Sequence, residues 1–286
     1  MDDHRLRQFV ERHSRLFILT GAGCSTESGI PDYRDADGGW KRAAPVMFQA
    51  FMGEPATRRR YWARSLVGWR RLRAALPNDA HRALAQLQRQ GRVAQLVTQN
   101  VDRLHQAAGS SEVIDLHGRI DQVRCMSCQQ RQSREDLQAG LLRLNPDWAD
   151  VDAMQAPDGD ADLEHHDFSR FQVPACRLCG GVLKPDVVFF GEQVPPDRVR
   201  SSMAQLMQAD AMLVIGSSLM VYSGYRFAQA AALAGKPIAA VNLGRTRADA
   251  LLDLKVALPC TAALAFLLQE PPGAQPARPT VLTANR

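Results

Sequence analysis

The chain has 286 residues, 45% hydrophobic and 23% charged, with a formal charge of +5 and a pI near 9.1. A globular, soluble α/β domain with a small inserted module fits that length, and so modest a charge favours acidic partners only weakly. No run of about 18 apolar residues occurs, and the charged start Met1-Asp2-Asp3-His4-Arg5 leads into no apolar core segment. A membrane span and a standard secretory signal are thereby excluded, Asp2 and Asp3 argue against a transit peptide, and a cytoplasmic location is expected.

In chain order, residues 3–15 read as a helix carrying Leu6, Phe9 and Val10. Leu16-Phe17-Ile18-Leu19 reads as a strand that runs into Thr20-Gly21-Ala22-Gly23, the opening of a nucleotide-binding α/β unit. Residues 35–90 are Arg- and Trp-rich with helical spacing and read as a helical insertion. Its arginines 58, 59, 60, 64, 70, 71 and 73 suggest a solvated helix face, with an anionic or nucleic-acid partner as the rarer alternative. Strands are expected at Val93–Val97, Val113–Leu116, Asp186–Phe190, Ala211–Ile215 and Ile238–Val241, with helices at 197–208 and 224–235. Continuous apolar strands alternating with helices indicate a parallel sheet covered on both faces, a Rossmann-like α/β fold. Its expected parts are about 1–38, 91–120 and 186–270, with a small helical and zinc module at about 39–90 and 121–185. Residues 271–286, rich in Pro and small polar residues, read as a disordered tail.

Six cysteines are present, four of them as Cys125-Met126-Ser127-Cys128 and Cys176-Arg177-Leu178-Cys179. Two thiolates from each of two tight turns satisfy tetrahedral Zn²⁺ with no open position, so one structural zinc is expected and redox dithiols are the weaker alternative. The 47 residues from 129 to 175 exceed a minimal ribbon, so extra structure is inserted there.

Polar groups collect after the expected strands, where open parallel sheets bind ligands. Gly21 and Gly23 let backbone N–H groups approach a pyrophosphate, although a third glycine at the usual spacing would fall at position 26, which is Thr. Gly216-Ser217-Ser218 and Asn242-Leu243-Gly244 follow two further strands, and Asn242 stands where an acidic residue often holds a ribose. Thr98-Gln99-Asn100-Val101-Asp102 places three polar side chains at a strand end, and His117-Gly118 follows another strand; a lone histidine is as readily structural as catalytic.

Taken together, Gly21 through Arg34, Thr98 through Asp102, His117-Gly118, the two cysteine pairs, Lys184 through Glu192, Gly216 through Leu219 and Asn242 through Gly244 resemble the sirtuin family in motif and order. The resemblance covers about residues 5–270. Phe171 through Pro174 and Val221 through Phe227 resemble its class II branch, whose activities include lipoamide cleavage and mono-ADP-ribosyl transfer.

The resemblance implies an NAD-dependent protein lysine deacetylase or deacylase that releases nicotinamide and O-acyl-ADP-ribose. Mono-ADP-ribosyl transfer and lipoamide cleavage are the enzymic alternatives, and a zinc-ribbon binding module is the non-enzymic one. The implied partner is acylated lysine in a protein, with no membrane and no nucleic acid. NAD would contact Gly21, Ala22, Gly23, Ser25, Thr26, Asp32, Tyr33, Arg34, Gln99, Asn100, Asp102, Gly216, Ser217, Ser218, Asn242, Leu243, Gly244 and Cys260. Asn100 and Asp102 would hold the carboxamide, the acyl oxygen would attack the ribose, and His117 would act as general base toward a ribose hydroxyl. Tyr33 and Arg34 would form a mobile lid; most members carry Phe where this chain has Tyr33. The peptide would add as a strand near Val188 to Gly191 and Leu219 to Tyr222. Tyr61 and Arg64, three apart on one helix face, are similar to a pair that grips acidic acyl groups, which implies a preference for acyl chains ending in a carboxylate.

Overall fold

A computed structural model of the chain describes residues 2–41, 45–157, 160–163 and 165–269. The tail expected at 271–286 lies outside the described residues. Helix α1 (Asp2–Arg12) leads into strand β1 (Leu16–Thr20), whose five residues are all buried. Helices α2 (Phe48–Gly53), α3 (Pro55–Leu72) and α4 (Asp79–Arg89) follow. Pro55 starts α3 where its missing N–H costs nothing, and Asn78 caps α4 by accepting from the N–H groups of Ala80 and His81. Strand β2 (Val93–Thr98), the short helix α5 (Leu104–Ala107) and β3 (Ile114–Asp115) come next. The inserted segment holds β4 (Gly118–Cys125), β5 (Arg131–Ser133), α6 (Arg134–Leu144), β6 (Gln155–Ala156), β7 (Asp160–Ala161) and β8 (Leu183–Val187). The chain ends through α7 (Pro196–Gln208), β9 (Ala211–Ile215), α8 (Tyr222–Leu233), β10 (Ile238–Val241), β11 (Leu254–Val256) and α9 (Cys260–Leu264).

Six strands form one parallel sheet in the order β11-β10-β9-β1-β2-β3. The chain builds outward from β1 to β2 and β3, then returns to β1's other side to lay down β9, β10 and β11. That reversal makes the gap between β1 and β9 a topological switch point, where the carboxyl ends of the strands open a crevice. One face of the sheet packs on α1, α4 and α9 through residues such as Leu6, Leu84 and Leu264, and the other on α7 and α8 through Leu206 and Phe227.

Two expectations change here. The apolar run expected as a strand at Asp186–Phe190 is a strand only over 183–187, with a single parallel bridge from Phe190 to Met47 beyond it, and it does not join the six-stranded sheet: β8 lies antiparallel to β4 in a three-stranded sheet β5-β4-β8. Apolarity marks Val188 to Phe190 as a covered segment, but their backbone turns away, with the Val188 N–H donating to the His117 carbonyl and the Phe190 carbonyl accepting from Phe48. Helix α4, from the segment expected in the small module, packs on the parallel sheet instead, because Ala80, Ala83, Leu84 and Leu87 all face it. The helices that pack with the cysteine-bearing segment are α2 and α3, through Phe51, Trp62, Leu66 and Trp69. Arg134 is fully buried there, with its guanidinium 4.9 Å from the Trp69 ring centre and 5.4 Å from that of Trp62, and it donates to the Ser65 carbonyl.

Candidate active site

A cavity of about 1160 Å³ fills the switch point. Its floor is the contact between the turns after β1 and β9. A Cβ on Gly21 would stand 2.8 Å from Ser217 Cβ, and one on Gly216, whose φ is +62°, only 2.3 Å from the Cys24 nitrogen. The N–H groups of Gly21 and Gly23 donate to the carbonyls of Ile215 and Gly216, so these glycines first of all let two turns close against each other.

At one end stands a polar network. The Asn100 side chain donates to the Gly21 carbonyl and to Ser25 Oγ, both at 3.0 Å, and its N–H donates to Thr98 Oγ1. Ser25 in turn donates to Asp102 Oδ2 at 2.7 Å. Asn100 lines the cavity; Ser25 and Asp102 lie behind that wall and brace it. Burial pushes the Asp102 carboxyl up, against the hydrogen bonds from Leu104 and Ser25 that hold it down.

His117 leaves the sheet at the end of β3 and reaches the same cavity. Its Nδ1 lies 3.0 Å from the Gln99 carbonyl and its Nε2 2.8 Å from Ser223 Oγ. A carbonyl only accepts, so Nδ1 carries the proton and Nε2 is left as a lone pair that accepts from Ser223. Burial lowers its pKa to about 4, aided by Arg198, while the Gln99 carbonyl opposes the shift. The following glycine is required: Gly118 has φ +86°, and a Cβ there would sit 2.1 Å from the Asp186 carbonyl oxygen. Gln99 is fixed by Ser217, whose hydroxyl donates to Oε1 at 2.6 Å.

Asp32, Tyr33, Arg34, Trp40 and Lys41 wall one side. Tyr33, Trp40 and Phe190 pack edge to face with centroids 5.5–6.1 Å apart. Arg34 lies 3.6 Å above the Trp40 ring and donates to the Gly38 carbonyl, and Lys41 pairs with Asp32. At the far end, Asn242 donates to the Gly244 carbonyl, a Cβ on Gly244 would lie 2.6 Å from the Ala36 carbonyl oxygen, and the Cys260 thiol points at the Gly23 carbonyl.

The four paired cysteines converge. Their sulfurs all lie within 4.8 Å of one another, with Cys125–Cys179 at 3.5 Å and Cys128–Cys176 at 3.7 Å. Tetrahedral zinc with Zn–S bonds of about 2.3 Å needs S···S separations of about 3.8 Å, so the donor set fits the ion. Both pairs sit in the same turn: the N–H of Gln129 reaches the Cys125 carbonyl, and that of Gly180 the Cys176 carbonyl. Gln129 and Gly180 both adopt left-handed backbone, φ 63° and 71°.

The Sir2 family's sequence profile matches residues 21–223. The chain belongs to the Sir2 family. A Sir2-type relative from Xanthomonas campestris pv. campestris (strain 8004), named NAD-dependent protein deacetylase, is 68% identical over 266 residues, 93% of this chain and 91% of its own. NAD-dependent protein deacetylase 2 of Bradyrhizobium diazoefficiens is 68% identical over 263 residues, 92% of this chain and 96% of its own. Among solved structures, Sir2 with a p53 peptide and NAD⁺ has a TM-score of 0.73 at 29% identity, covering 94% of this chain and 98% of that one. Sir2Tm bound to a propionylated peptide has a TM-score of 0.72 at 30% identity, with the same coverage.

This Sir2 chain gathers Gly21 to Gly23, Thr26, Asp32 to Arg34, Gln99, Asn100, His117, Gly216 to Ser218, Asn242 to Gly244 and Cys260 around one cavity. Sequence reasoning missed Ser223, Trp40 and Phe190 as a set. Ser223 could have been flagged as a hydroxyl at a helix start just beyond a strand-end loop. The arginine run is in part a solvated face, with Arg70, Arg71 and Arg73 exposed, but its members also have partners within the fold. Arg58 donates to the carbonyls of Phe51 and Met52, Arg70 to those of Ala149 and Val151, Arg71 pairs with Asp152 and Arg73 with Glu135. Most of these arginines tie the 129–175 insertion to α3.

A side cavity of about 170 Å³ continues past Tyr33, Trp40 and Phe190 to Tyr61, Arg64 and Asp160. There Arg64 donates to Asp160 Oδ1 at 3.1 Å, reaches Oδ2 at 3.0 Å and also donates to the Ala161 carbonyl. A carboxylate of the chain itself already fills the fork expected to grip an acidic acyl group, which points away from that preference.

Proposed function

We propose that this chain is an NAD-dependent protein deacetylase of the class II branch, acting on acylated lysine in proteins in the cytoplasm. The observation that carries the reading is His117: one tautomer, with Nδ1–H held by Gln99 and the Nε2 lone pair directed at the cavity that Asn100 also lines. The cavity exceeds the roughly 300–1,000 Å³ of ordinary ligand sites, as an extended dinucleotide plus an acyl-lysine requires. NAD, when bound, supplies an electrophilic ribose carbon with nicotinamide as leaving group.

Asn100, backed by Ser25 and Asp102, would orient the carboxamide, and Gln99 the adjoining ribose. Asn242, Gly244 and Cys260 would border the adenosine, and Tyr33 with Trp40 would keep water out. His117 Nε2 would take the proton of a ribose hydroxyl as that oxygen attacks the acyl carbon. The peptide would lie between Val188–Gly191 and Leu219–Tyr222, both on the cavity wall. One zinc would be held by Cys125, Cys128, Cys176 and Cys179 and do no chemistry; its thiolates need a reducing compartment, which supports the cytoplasmic reading. Arginines engaged within the fold support the expectation that nucleic acid is no partner.

The test is nicotinamide release and deacetylation of an acetyl-lysine peptide, with and without NAD. Turnover requiring both substrates is expected, and His117→Ala should lose about 10²–10⁴-fold with its melting point and zinc content kept. Near-normal turnover in that variant overturns the assignment of the base. Zinc-loaded protein that consumes no NAD with any acyl peptide overturns the function.

A further inference from the structure

Behind the nucleotide turn, three more metal-ligating side chains meet in the interior. Cys24 closes the turn after β1, His81 lies in the first turn of α4 and His105 in α5. All three are at most 1% exposed, one ligand atom from each lies within 4.8 Å of the other two, and the imidazole centroids are 4.8 Å apart.

The hydrogen bonds hold each ring at one nitrogen. His105 Nε2 lies 2.8 Å from Thr20 Oγ1, whose own proton goes to Thr98 Oγ1, so Nε2–H is the donor. His105 Nδ1 is then a bare lone pair, buried and without a hydrogen-bond partner among the described residues. For His81, the Asn78 amide is oriented by its Nδ2 donating to the Cys24 carbonyl, while its Oδ1 accepts two backbone N–H groups. His81 is held at Nδ1, which lies 2.9 Å from that oxygen and 3.3 Å from the Asn78 backbone nitrogen, and its Nε2 has only a long, 3.4 Å contact to Ser25 Oγ. Each imidazole is thus held at one nitrogen by hydrogen bonds while the other has at most a long contact, the arrangement that orients metal-binding histidines. One thiol and two such nitrogens suit a thiophilic ion. If the ligand atoms formed a triangle of 4.8 Å edges, an ion at its centre would need each to move inward by only about 0.5–0.8 Å to reach bonds of 2.0–2.3 Å.

We propose that Cys24, His81 and His105 form a second metal site, for a thiophilic divalent cation such as zinc, and that filling it weakens nucleotide binding. Binding forms a metal–sulfur bond and breaks the Cys24 S–H bond, the proton leaving to solvent, so the site gains one net positive charge. The coupling runs through Ser25, which touches His81 and also holds Asn100 and Asp102. Ligation withdraws His81 Nε2 from Ser25, and the new charge lies close behind the Asp102 carboxylate. The effect on the nucleotide site rests on the function proposed above; the metal site itself does not.

The experiment keeps the four-cysteine zinc in place and equilibrates wild type, Cys24→Ala and His105→Gln against buffered micromolar free zinc, with melting curves to verify folding. Two zinc ions per chain are expected in the wild type and one in each folded variant. Calorimetry should show NAD binding weakened about tenfold by the second zinc in the wild type and unchanged by zinc in Cys24→Ala. One zinc per chain in the wild type, or two in both wild type and Cys24→Ala, overturns the site. A second zinc lost in Cys24→Ala but without effect on NAD affinity overturns the coupling.

Discussion

His117, the base proposed above, is half-buried and already neutral, which predicts an unusual acid limb. An ordinary imidazole titrates near 6.5, whereas burial lowers His117 to about 4. The neutral form is the competent one, since only it offers the Nε2 lone pair. At pH 5.5 a group of pKa 4 is about 97% neutral, and one of pKa 6.5 only about 9%, a tenfold difference in the fraction of active enzyme. The plateau of kcat/KM for an acetyl-lysine peptide is therefore expected to hold down to about pH 5.5. The assay runs from pH 4.5 to 8, with circular dichroism to verify the fold at each pH and an NMR titration of the His117 ring in the free protein. Half-loss of kcat/KM near pH 6.5 in folded protein, with the ring titrating there too, would refute the reasoning. The linked stability effect has a definite sign. Below about pH 6.5 the unfolded chain takes up a proton that folded His117 refuses until about pH 4, so this group disfavours the folded state progressively across that window.

Other expectations follow from single contacts. Gly118→Ala places a Cβ 2.1 Å from the Asp186 carbonyl oxygen at a φ of +86°, and should cost about 1–3 kcal/mol or more in a urea melt; an unchanged midpoint would show that β4 and β8 can separate freely. Cys176→Ser should lose zinc on metal analysis and most soluble protein, because ion binding and folding of this module are coupled; a zinc-free variant that melts like the wild type would contradict it. With Asp160 in the Arg64 fork, wild type should process acetyl-lysine faster than acyl-lysines ending in a carboxylate. Asp160→Ala should raise the relative rate on the acidic acyl groups about tenfold, as a charge-assisted bond of about 1.5–3 kcal/mol becomes available; no change in the ratio would remove Arg64 from acyl recognition.

Much of this protein is written in short stretches of sequence. The fully buried runs Leu16–Leu19 and Ala211–Ile215 are apolar without alternation, so a doubly covered parallel sheet follows from them alone. The CxxC turns and the glycines after β1 and β9 likewise encode their own backbone over five or six residues, and the family could be named from them. What lay beyond reach depends on residues far apart in the chain. Val187 to Phe190 are apolar whether they pair in a parallel sheet or close over a cavity, and only the packing of β8 on β4 decides between the two. An arginine has the same sequence signature in water as against Asp160 or Asp152, so the run at 58–73 could not reveal that it fastens an insertion about 60–100 residues away. Strand order, not local pattern, brings His117 to the Gln99 carbonyl, 18 residues back, which fixes its tautomer, and to Ser223, 106 residues on. Residue type and local spacing determined the fold class and the candidate reacting groups; tertiary structure determined their protonation and partners, because those depend on burial and on long-range contacts that no local pattern carries.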